Sequence, residues 1–204
     1  MHSPTLESRV AGLLAREPLQ LDVGCGSFKK DGYVGIDRVD TQDVELVGDV
    51  YAVLALFPES SVDRLHSSHF AEHLDDPVKF LREVIRILKP PAKAEIIVPH
   101  FSNPYYYSDL THKSHFGLYT LAYLTPQRFF RRAVPSYEQI QGLSIEEVTL
   151  VFRSPRPFYV RYAIKKAIQS LVNLTRWGQE FYEENLAWLC PAYEIRYLIS
   201  KRGR

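Results

Sequence analysis

The distribution of apolar residues over the first hundred positions constrains the fold more than any other feature. Short apolar runs that predict strands occur at residues 20–23, 33–36, 44–47, 62–65 and 94–98. Between the last two, apolar residues repeat at helical spacing and predict a helix over 76–88. Lys89-Pro90-Pro91 should end this helix, because proline cannot continue one. Strands that alternate with helical segments favour an α/β fold with a mostly parallel sheet.

The second half of the chain is less regular. A polar-aromatic loop is predicted over 101–124, a strand over 145–152 and a closing strand over 193–200. Between these strands, an amphipathic helix is predicted over 158–175, with Arg161, Lys165 and Lys166 on its polar face. Such a helix fits either an anionic membrane surface or, as the simpler alternative, a place in the core.

Composition restricts the class of protein. Cys25 and Cys190 are the only cysteines, which excludes a disulfide framework and a cysteine-based zinc cluster. The N-terminal residues follow helical spacing and lack the pattern of a signal peptide, and no run approaches about 18 apolar residues. We therefore expect a cytoplasmic protein, with peripheral contact at the inner membrane surface as an option.

Charge is distributed unevenly along the chain. Residues 1–109 carry 17 acidic and 11 basic side chains, whereas residues 110–176 carry 10 basic and 3 acidic ones. The basic segment either attracts an anionic partner or is simply a solvated face. Nucleic acid is not expected as a partner, since no reader motif is present and the net charge is only +1.

A glycine turn follows the first predicted strand. Leu21-Asp22-Val23 runs directly into Gly24-Cys25-Gly26, and glycine allows a ligand to approach the backbone closely. The next two strands end in Gly35-Ile36-Asp37 and Gly48-Asp49-Val50. A carboxylate at each place suits ribose hydroxyls and an adenine amine, although aspartate after glycine is also ordinary turn chemistry.

These segments carry a family resemblance over roughly residues 20–100. LDVGCG, VGID, GDV, FPESSVDRLHSSHFAEHLDDP, FLREVIRILKP and EIIVPH resemble the class I, Rossmann-like methyltransferases of the type-11 group, most closely small bacterial members with a shortened N-terminal half. The resemblance implies S-adenosylmethionine as cofactor and a seven-stranded sheet whose last strand is an antiparallel insertion. It also implies these cofactor contacts: Asp22, Gly24, Cys25 and Gly26 in the turn, Asp37 for the ribose, Asp49 and Val50 for the adenine, and Ser67, Ser68 and His69 after the fourth strand.

Two departures from the family pattern stand out. The third glycine of the turn would fall at position 28, which is Phe28. In addition, only about eight and six residues separate the first three strands, whereas a parallel crossover usually takes about a dozen. We therefore expect the first two crossovers to be loops without helices.

The stretch His69-Phe70-Ala71-Glu72-His73 also spells the inverted zinc-protease signature. Zinc would need both histidines on one helical turn, and Leu74-Asp75-Asp76-Pro77 prevents that helix from continuing. No metal site is expected, and His73 is interpreted as a core or capping residue.

The loop after the fifth strand concentrates groups that can exchange protons or donate hydrogen bonds. His100 is the first candidate for a general base, His112 the second, with Asp109 as their carboxylate partner. A structural Asp–His brace is one alternative. A carboxylate and imidazoles near each other could also hold a metal ion, although their spacing fits no strong template. Substrate contacts are expected from Tyr105, Tyr106, Tyr107, Lys113 and His115.

The sequence thus predicts a single methyltransferase domain over residues 1–204. It would comprise an N-terminal helix (1–18), a cofactor-binding half (20–100), a substrate loop and cap helix (101–176) and a closing helix and strand (177–204). The expected reaction is O- or N-methylation of a small-molecule or glycan/lipid-linked acceptor. A pseudo-enzyme that keeps the cofactor, or a protein that binds a partner or a membrane, is the alternative.

Overall fold

The seven strands among the described residues form one mixed sheet. The computed structural model of the protein describes residues 5–203, so positions 1–4 of the expected N-terminal helix and position 204 lie outside them. The strands are β1 (Gln20–Val23), β2 (Val34–Asp37), β3 (Leu46–Val47), β4 (Val62–Ser68), β5 (Leu88–Pro99), β6 (Leu143–Val151) and β7 (Glu194–Lys201). The helices are α1 (Leu6–Leu13), α2 (Val50–Ala55), α3 (Pro77–Ile87), α4 (Tyr159–Val172) and α5 (Arg176–Asn185), with short 3-10 turns at Ala71–His73, Tyr106–Ser108 and Leu121–Leu124.

The strand order is β3-β2-β1-β4-β5-β7-β6. Strands β1 to β5 pair in parallel, and β7 runs antiparallel to both β5 and β6. The predicted Rossmann-like sheet, with the last strand inserted antiparallel, is confirmed. The order reverses at β1 and β4, which is where open α/β sheets bind ligands.

The first two crossovers are loops, as predicted. Residues 24–33 and 38–45, all described, contain no helix. Side-chain carboxylates hold these loops against the sheet: Asp22 accepts the Lys30 N–H at 2.7 Å, and Glu45 accepts the Gly35 N–H at 2.6 Å. Glu45 also pairs with Lys29 at 2.5 Å.

Helix α3 begins and ends where its sequence requires. The Asp76 side chain accepts the Lys79 N–H at 2.8 Å, and Pro77 stands in the first turn, where its missing N–H costs nothing. Strand β5 then starts at Leu88, six residues before the predicted strand. The register of its pairing with β4 shifts between Val62 and Arg64 of β4, and this irregularity accommodates Pro90-Pro91 of β5.

Helix α4 is exposed, so its interpretation as a core helix is wrong. Within α4, all of which is described, Val172 is the one buried residue. Val160, Ile164 and Leu171 lie on one face at helical spacing and are 76%, 54% and 70% exposed. Among residues 5–203, no helix combines the length and apolar character needed to span a membrane.

The buried hydroxyl of Tyr197 provides a test of the sheet's packing. Tyr197 is fully buried in β7 and donates to the Gly117 carbonyl at 2.6 Å. We expect Tyr197→Phe to lower the free energy of unfolding by about 1 kcal/mol, since a buried hydrogen bond is lost. Tyr137→Phe is the control, because Tyr137 is 84% exposed. Urea unfolding measures both, and equal effects would contradict the packing described here.

Candidate active site

A cleft of about 590 Å³ lies beyond the carboxyl ends of β2 and β3. The ends of these strands supply one wall, and the segment after β4 supplies another through Phe70, His73 and Leu74. The loop 101–124 closes the remaining side. The residues that line the cleft are Ile36, Asp37, Arg38, Val39, Gly48, Asp49, Val50, Phe70, His73, Leu74, Leu110, Thr111 and Lys113.

The two glycines of the turn serve different purposes. Both have positive φ angles, +72° at Gly24 and +55° at Gly26, which glycine adopts at low cost. A Cβ at Gly26 would meet nothing within 4 Å, whereas one at Gly24 would lie 2.1 Å from the Phe70 ring. At Gly24 the close neighbour is thus Phe70, and the open space that a ligand could enter lies at Gly26.

Two carboxylates border the cleft. Asp37 accepts the Gly26 N–H through Oδ2 and the Val39 N–H through Oδ1, both at 2.9 Å. Asp49 caps helix α2 by accepting the Tyr51 and Ala52 N–H groups through Oδ1. A carboxylate oxygen has two lone-pair directions, so both side chains can still accept a hydroxyl or amine proton.

The chemistry of this cleft fits an adenosine group. Carboxylates suit ribose hydroxyls and an exocyclic amine, while Ile36, Val50, Phe70 and Leu74 offer apolar surface to a flat ring. The open space above Gly26 permits a ligand to approach the backbone there. The residues present therefore fit the cofactor that the sequence implied.

Asp22 and Cys25 do not line this cleft. Asp22 is 3% exposed and its carboxylate is engaged by the Lys30 N–H; burial raises its pKa. Burial, aided by the charges of Asp22 and Asp37, raises the pKa of the Cys25 thiol to about 11. Both residues shape the turn from the protein side.

Two serines stand at the end of β4. Ser67 is buried with no partner for its hydroxyl among the described residues, and Ser68 is half-buried.

His69 is held as a cation at the end of β4. Its Nε2 lies 3.3 Å from Glu194 Oε2 and its Nδ1 lies 3.5 Å from Glu72 Oε1. These two carboxylates, Glu194 first, raise the pKa of His69 to about 9. His69 has a φ of +52°, an uncommon conformation outside glycine. The inverted zinc-protease interpretation is excluded, because His69 and His73 do not share a helical turn.

Glu194 is a site residue that the sequence analysis missed. It is fully buried at the start of β7, where Arg153 and Arg196 contact it at 2.9 and 2.8 Å. Burial alone would raise the pKa of Glu194, but hydrogen bonds from His69 and Arg196 lower it to about 2. A single acidic residue at the start of a strand carries no sequence signal that predicts this role.

The prediction of His100 as general base is corrected. His100 is fully buried, with Nδ1 2.8 Å from the Ser102 hydroxyl and Nε2 3.0 Å from Glu183 Oε2. Both ring nitrogens are engaged, so neither faces an acceptor. Glu183, which the sequence analysis also missed, accepts the Leu118 N–H at 2.7 Å as well. This brace ties the loop 101–124 to helix α5.

Asp109, His112 and Glu72 come together beside the cleft. His112 Nε2 lies 3.7 Å from Asp109 Oδ2 and 4.0 Å from Glu72 Oε1. His73 joins them, with its Nε2 4.0 Å from the same Glu72 oxygen. The sequence analysis paired Asp109 with His112 but did not predict that either residue lies near Glu72.

The residues expected to contact substrate divide into two groups. Tyr105 and Tyr107 are exposed, and His115 stacks beside Tyr107 at a ring distance of 6.0 Å. Tyr106 is buried and its hydroxyl donates to the Ser114 carbonyl, so it supports the loop instead. Lys113 lines the cofactor cleft and pairs with Asp75 at 2.7 Å.

A second cleft of about 570 Å³ lies between the start of the same loop and helix α4. Tyr105 and Tyr193 contribute aromatic surface, while Arg153, Arg161 and Lys165 contribute positive charge. Its full lining is Asn103, Pro104, Tyr105, Arg153, Ser154, Pro155, Arg161, Lys165, Pro191, Ala192 and Tyr193. An anionic molecule with an apolar face matches this chemistry.

The contrast between the two glycines can be measured. Gly26→Ala should cost about 1–2 kcal/mol of unfolding free energy because alanine resists a positive φ. Gly24→Ala should cost about 1–3 kcal/mol more, since its methyl group also overlaps the Phe70 ring. In a Phe70→Ala background this extra cost should vanish. A Gly24→Ala cost that is unchanged by Phe70→Ala in urea unfolding would refute the proposed contact.

Comparisons with known proteins agree on this fold. A crystal structure of an S-adenosylmethionine-dependent methyltransferase from Archaeoglobus fulgidus is 19% identical, covers 95% of this chain and 90% of that one, and has a TM-score of 0.55. A Haloferax volcanii putative methyltransferase, solved in complex with the Trm112 methyltransferase activator, is 18% identical with a TM-score of 0.54 (96% and 89% covered). A Mesorhizobium loti S-adenosylmethionine-dependent methyltransferase is 14% identical with a TM-score of 0.51 (97% and 98% covered). No curated protein matches the chain at a significant level.

The sequence match to a known family covers part of the chain. A family model described as a methyltransferase domain, type 11, matches residues 21–94. This segment contains the glycine turn, both cleft carboxylates and the segment after β4. Residues 21–94 are thus similar to a methyltransferase domain of type 11, and the sheet around them has the fold of Rossmann-like, S-adenosylmethionine-dependent methyltransferases.

Proposed function

We propose that the enzyme methylates a hydroxyl or amine of a small-molecule or glycan-type acceptor that carries an anionic group. The observation that carries this proposal is the position of the loop 101–124, which lines both clefts. Leu110, Thr111 and Lys113 border the first cleft, and Tyr105 borders the second. A loop shared in this way can align a methyl donor in one cleft with an acceptor in the other.

In this proposal the first cleft holds the cofactor. Asp37 would accept the ribose hydroxyls, Asp49 and Val50 would contact the adenine, and the Gly24–Gly26 turn with Ser68 and His69 would border the remaining part. The bound cofactor supplies a methyl group on a positively charged sulfur, ready for displacement. The chain's own contribution is to hold the two molecules in line and to exclude water. Alignment alone lowers the activation free energy by several kcal/mol in favourable cases.

The acceptor would occupy the second cleft. Arg161 and Lys165 provide the positive charge for an anionic group, and Tyr105 provides a flat surface for a sugar ring. Arg153 is already paired with Glu194, so its charge is partly neutralised. We assign His115 and Tyr107 to the rim of this cleft.

Catalysis in this proposal does not use His100 as a base, since both of its nitrogens are engaged. His69 is also unsuited, because its pKa of about 9 keeps it protonated near neutral pH. Asp109 and His112 act instead as positioning residues that fix the loop against the segment after β4. Alignment is thus the main source of rate enhancement, and the proton of the acceptor hydroxyl or amine is released to solvent.

Cofactor binding can be tested at Asp37. We expect calorimetry to detect saturable binding of S-adenosylmethionine and its demethylated product to the wild type. Asp37→Asn should weaken the affinity for both molecules by at least about tenfold. The NH2 group of the new amide would face the Gly26 or Val39 N–H, and the uncharged amide oxygen is a poorer acceptor for the ribose hydroxyls. The matched control is Asp31→Asn, at an exposed position of the same connection.

The outcomes separate the alternatives. Equal affinities for wild type and Asp37→Asn would refute the assigned cleft. Binding without any methylated product, across a panel of sugar phosphates and uronic acid glycosides, would favour the pseudo-enzyme. Product formation that requires an anionic acceptor, and that falls at least tenfold in Lys165→Glu, would support the proposed acceptor class.

The exposed face of α4 favours a second candidate, in which the acceptor is lipid-linked and presented at a membrane surface. Val160, Ile164 and Leu171 form an apolar stripe, and Arg161 and Lys165 flank it. Apolar and basic residues together on an exposed helix are the pattern of interfacial helices. The second cleft lies beside this helix, so an acceptor anchored in lipid would reach it.

Vesicle flotation tests this candidate. The protein should float with phosphatidylcholine vesicles that contain anionic phosphatidylglycerol, and float less at high salt because screening weakens charge attraction. The double variant Val160→Asp, Ile164→Asp should lose flotation, while Tyr137→Asp, at an exposed apolar position outside α4, should not. Failure of the wild type to float, or equal flotation of all three proteins, would remove the membrane from the proposal.

A further inference from the structure

We propose that Glu72, His73 and His112 form a binding site for a divalent transition metal ion of the zinc type. The three residues each offer one ligand atom, and these atoms lie within 4.8 Å of one another. Glu72 and His73 come from the 3-10 turn after β4, while His112 comes from the loop 101–124. Two imidazoles and a carboxylate are a ligand set that zinc and iron favour.

The hydrogen bonds of His73 and His112 direct their free lone pairs into this cluster. His112 Nδ1 lies 2.8 Å from the Tyr106 carbonyl oxygen, which can only accept, so Nδ1 carries the proton. The Thr111 hydroxyl donates to Asp109 at 2.6 Å and therefore accepts from His73 Nδ1 at 2.8 Å. In both neutral rings Nε2 is left unprotonated, and both Nε2 atoms face Glu72 Oε1.

This arrangement matches the outer shell of metal-binding histidines. Such histidines generally donate their second ring N–H to a carbonyl or to a carboxylate-linked group, which fixes the ring and the tautomer. His112 uses the Tyr106 carbonyl, and His73 uses Thr111, which Asp109 orients in turn. The donors of both rings are thus engaged away from Glu72, and only acceptors meet at the cluster.

Glu72 provides the second, independent observation. Its side chain is fully buried, and both carboxylate oxygens lack a hydrogen-bond partner among residues 5–203. A buried carboxylate without hydrogen bonds is costly unless a cation compensates it. The contact to His69 Nδ1, at 3.5 Å, is long, and His69 is closer to Glu194 at 3.3 Å. A metal ion between Glu72 and the two Nε2 atoms would compensate the charge directly.

The two separations from Glu72 require only a small closure. Bonds of about 2.0–2.1 Å around a tetrahedral zinc ion place neighbouring ligand atoms about 3.4 Å apart. Glu72 Oε1 lies 4.0 Å from His73 Nε2 and 4.0 Å from His112 Nε2, so each separation must shorten by about 0.6 Å. Asp109 Oδ2, 3.7 Å from His112 Nε2, lies at the edge of the cluster, and a fourth ligand position is left for water.

A cation at this site would join the two walls of the cofactor cleft. Glu72 and His73 belong to the wall after β4, and His112 belongs to the loop that also lines the second cleft. Two backbone hydrogen bonds, from the Lys113 and Ser114 N–H groups to the Glu72 carbonyl at 2.7 and 3.3 Å, already connect them. The metal ion would add a connection that depends on the ion.

The test uses Co²⁺ as a spectroscopic probe for the chelator-treated full-length protein. We expect one equivalent of Co²⁺ to produce a saturable visible absorption band, and one equivalent of Zn²⁺ to displace it. Glu72→Gln, His73→Gln and His112→Gln should each weaken Co²⁺ binding by roughly 10- to 100-fold. His115→Gln is the matched control in the same loop and should bind Co²⁺ as the wild type does.

The outcomes decide the proposal. Absence of a saturable band in the wild type would overturn it and leave the His69 cation as the partner of Glu72. Equal Co²⁺ affinity in the wild type and all three variants would overturn it too, by placing the ion elsewhere. Circular dichroism shows which variants are folded, and His112→Gln in the surface loop secures the test if substitution of buried Glu72 prevents folding. Because no cofactor is added, the result is independent of the proposed methyl transfer.

Discussion

Hydrogen bonds from backbone N–H groups to Asp22, Asp37 and Glu45 hold the short connections of the first three strands, and the cofactor cleft depends on them. In a parallel sheet a crossover helix normally covers one face and fixes the loop that leads into it. Here the connections are loops, and the carboxylates accept N–H groups of the first connection (Lys30 and Gly26) and of strand β2 (Gly35). Asp37 has a double duty, because it fixes Gly26 and also faces the cleft.

Buried carboxylates also hold the segments around the ends of β4, β5 and β7. Glu183 joins His100 to the backbone of Leu118, and Glu194 joins His69 to the arginines of β6–α4 and β7. A buried ion pair does not by itself stabilise a fold, because desolvation offsets the attraction. A buried ion pair instead fixes geometry. Separating the two charged partners would leave an uncompensated buried charge, so the loop and the strand ends have one favourable arrangement.

Much of the fold follows from the sequence because it depends on local patterns. The apolar runs predicted β1 to β5, the helical spacing predicted α3, and the short separations predicted crossovers without helices. The resemblance supplied the antiparallel β7, which periodicity cannot provide, since pairing partners are far apart in the chain. Helix α4 was left open between core and surface because its amphipathic pattern fits either place, and only tertiary packing decides.

The site was predictable where its residues are consecutive and unpredictable where they meet through folding. Asp37 and Asp49 end or directly follow their strands, so their place at the cleft follows from the sheet alone. His100 has the residue type of a general base, but its burial depends on Glu183, which lies 83 positions away. Glu72 and His112 likewise meet only when the loop folds back onto the turn after β4.

The position of that loop links the two parts of the proposed mechanism. A transfer that relies on alignment is sensitive to small displacements, because about 1 Å of error costs a large part of the rate. The loop 101–124 is held at its start by the His100–Glu183 brace and at its middle by the cluster around Glu72. Its exposed aromatic residues lie between these two points of attachment. An enzyme that aligns its substrates with a surface loop needs such attachments on both sides of the contact residues, and the buried charged groups around this loop supply them.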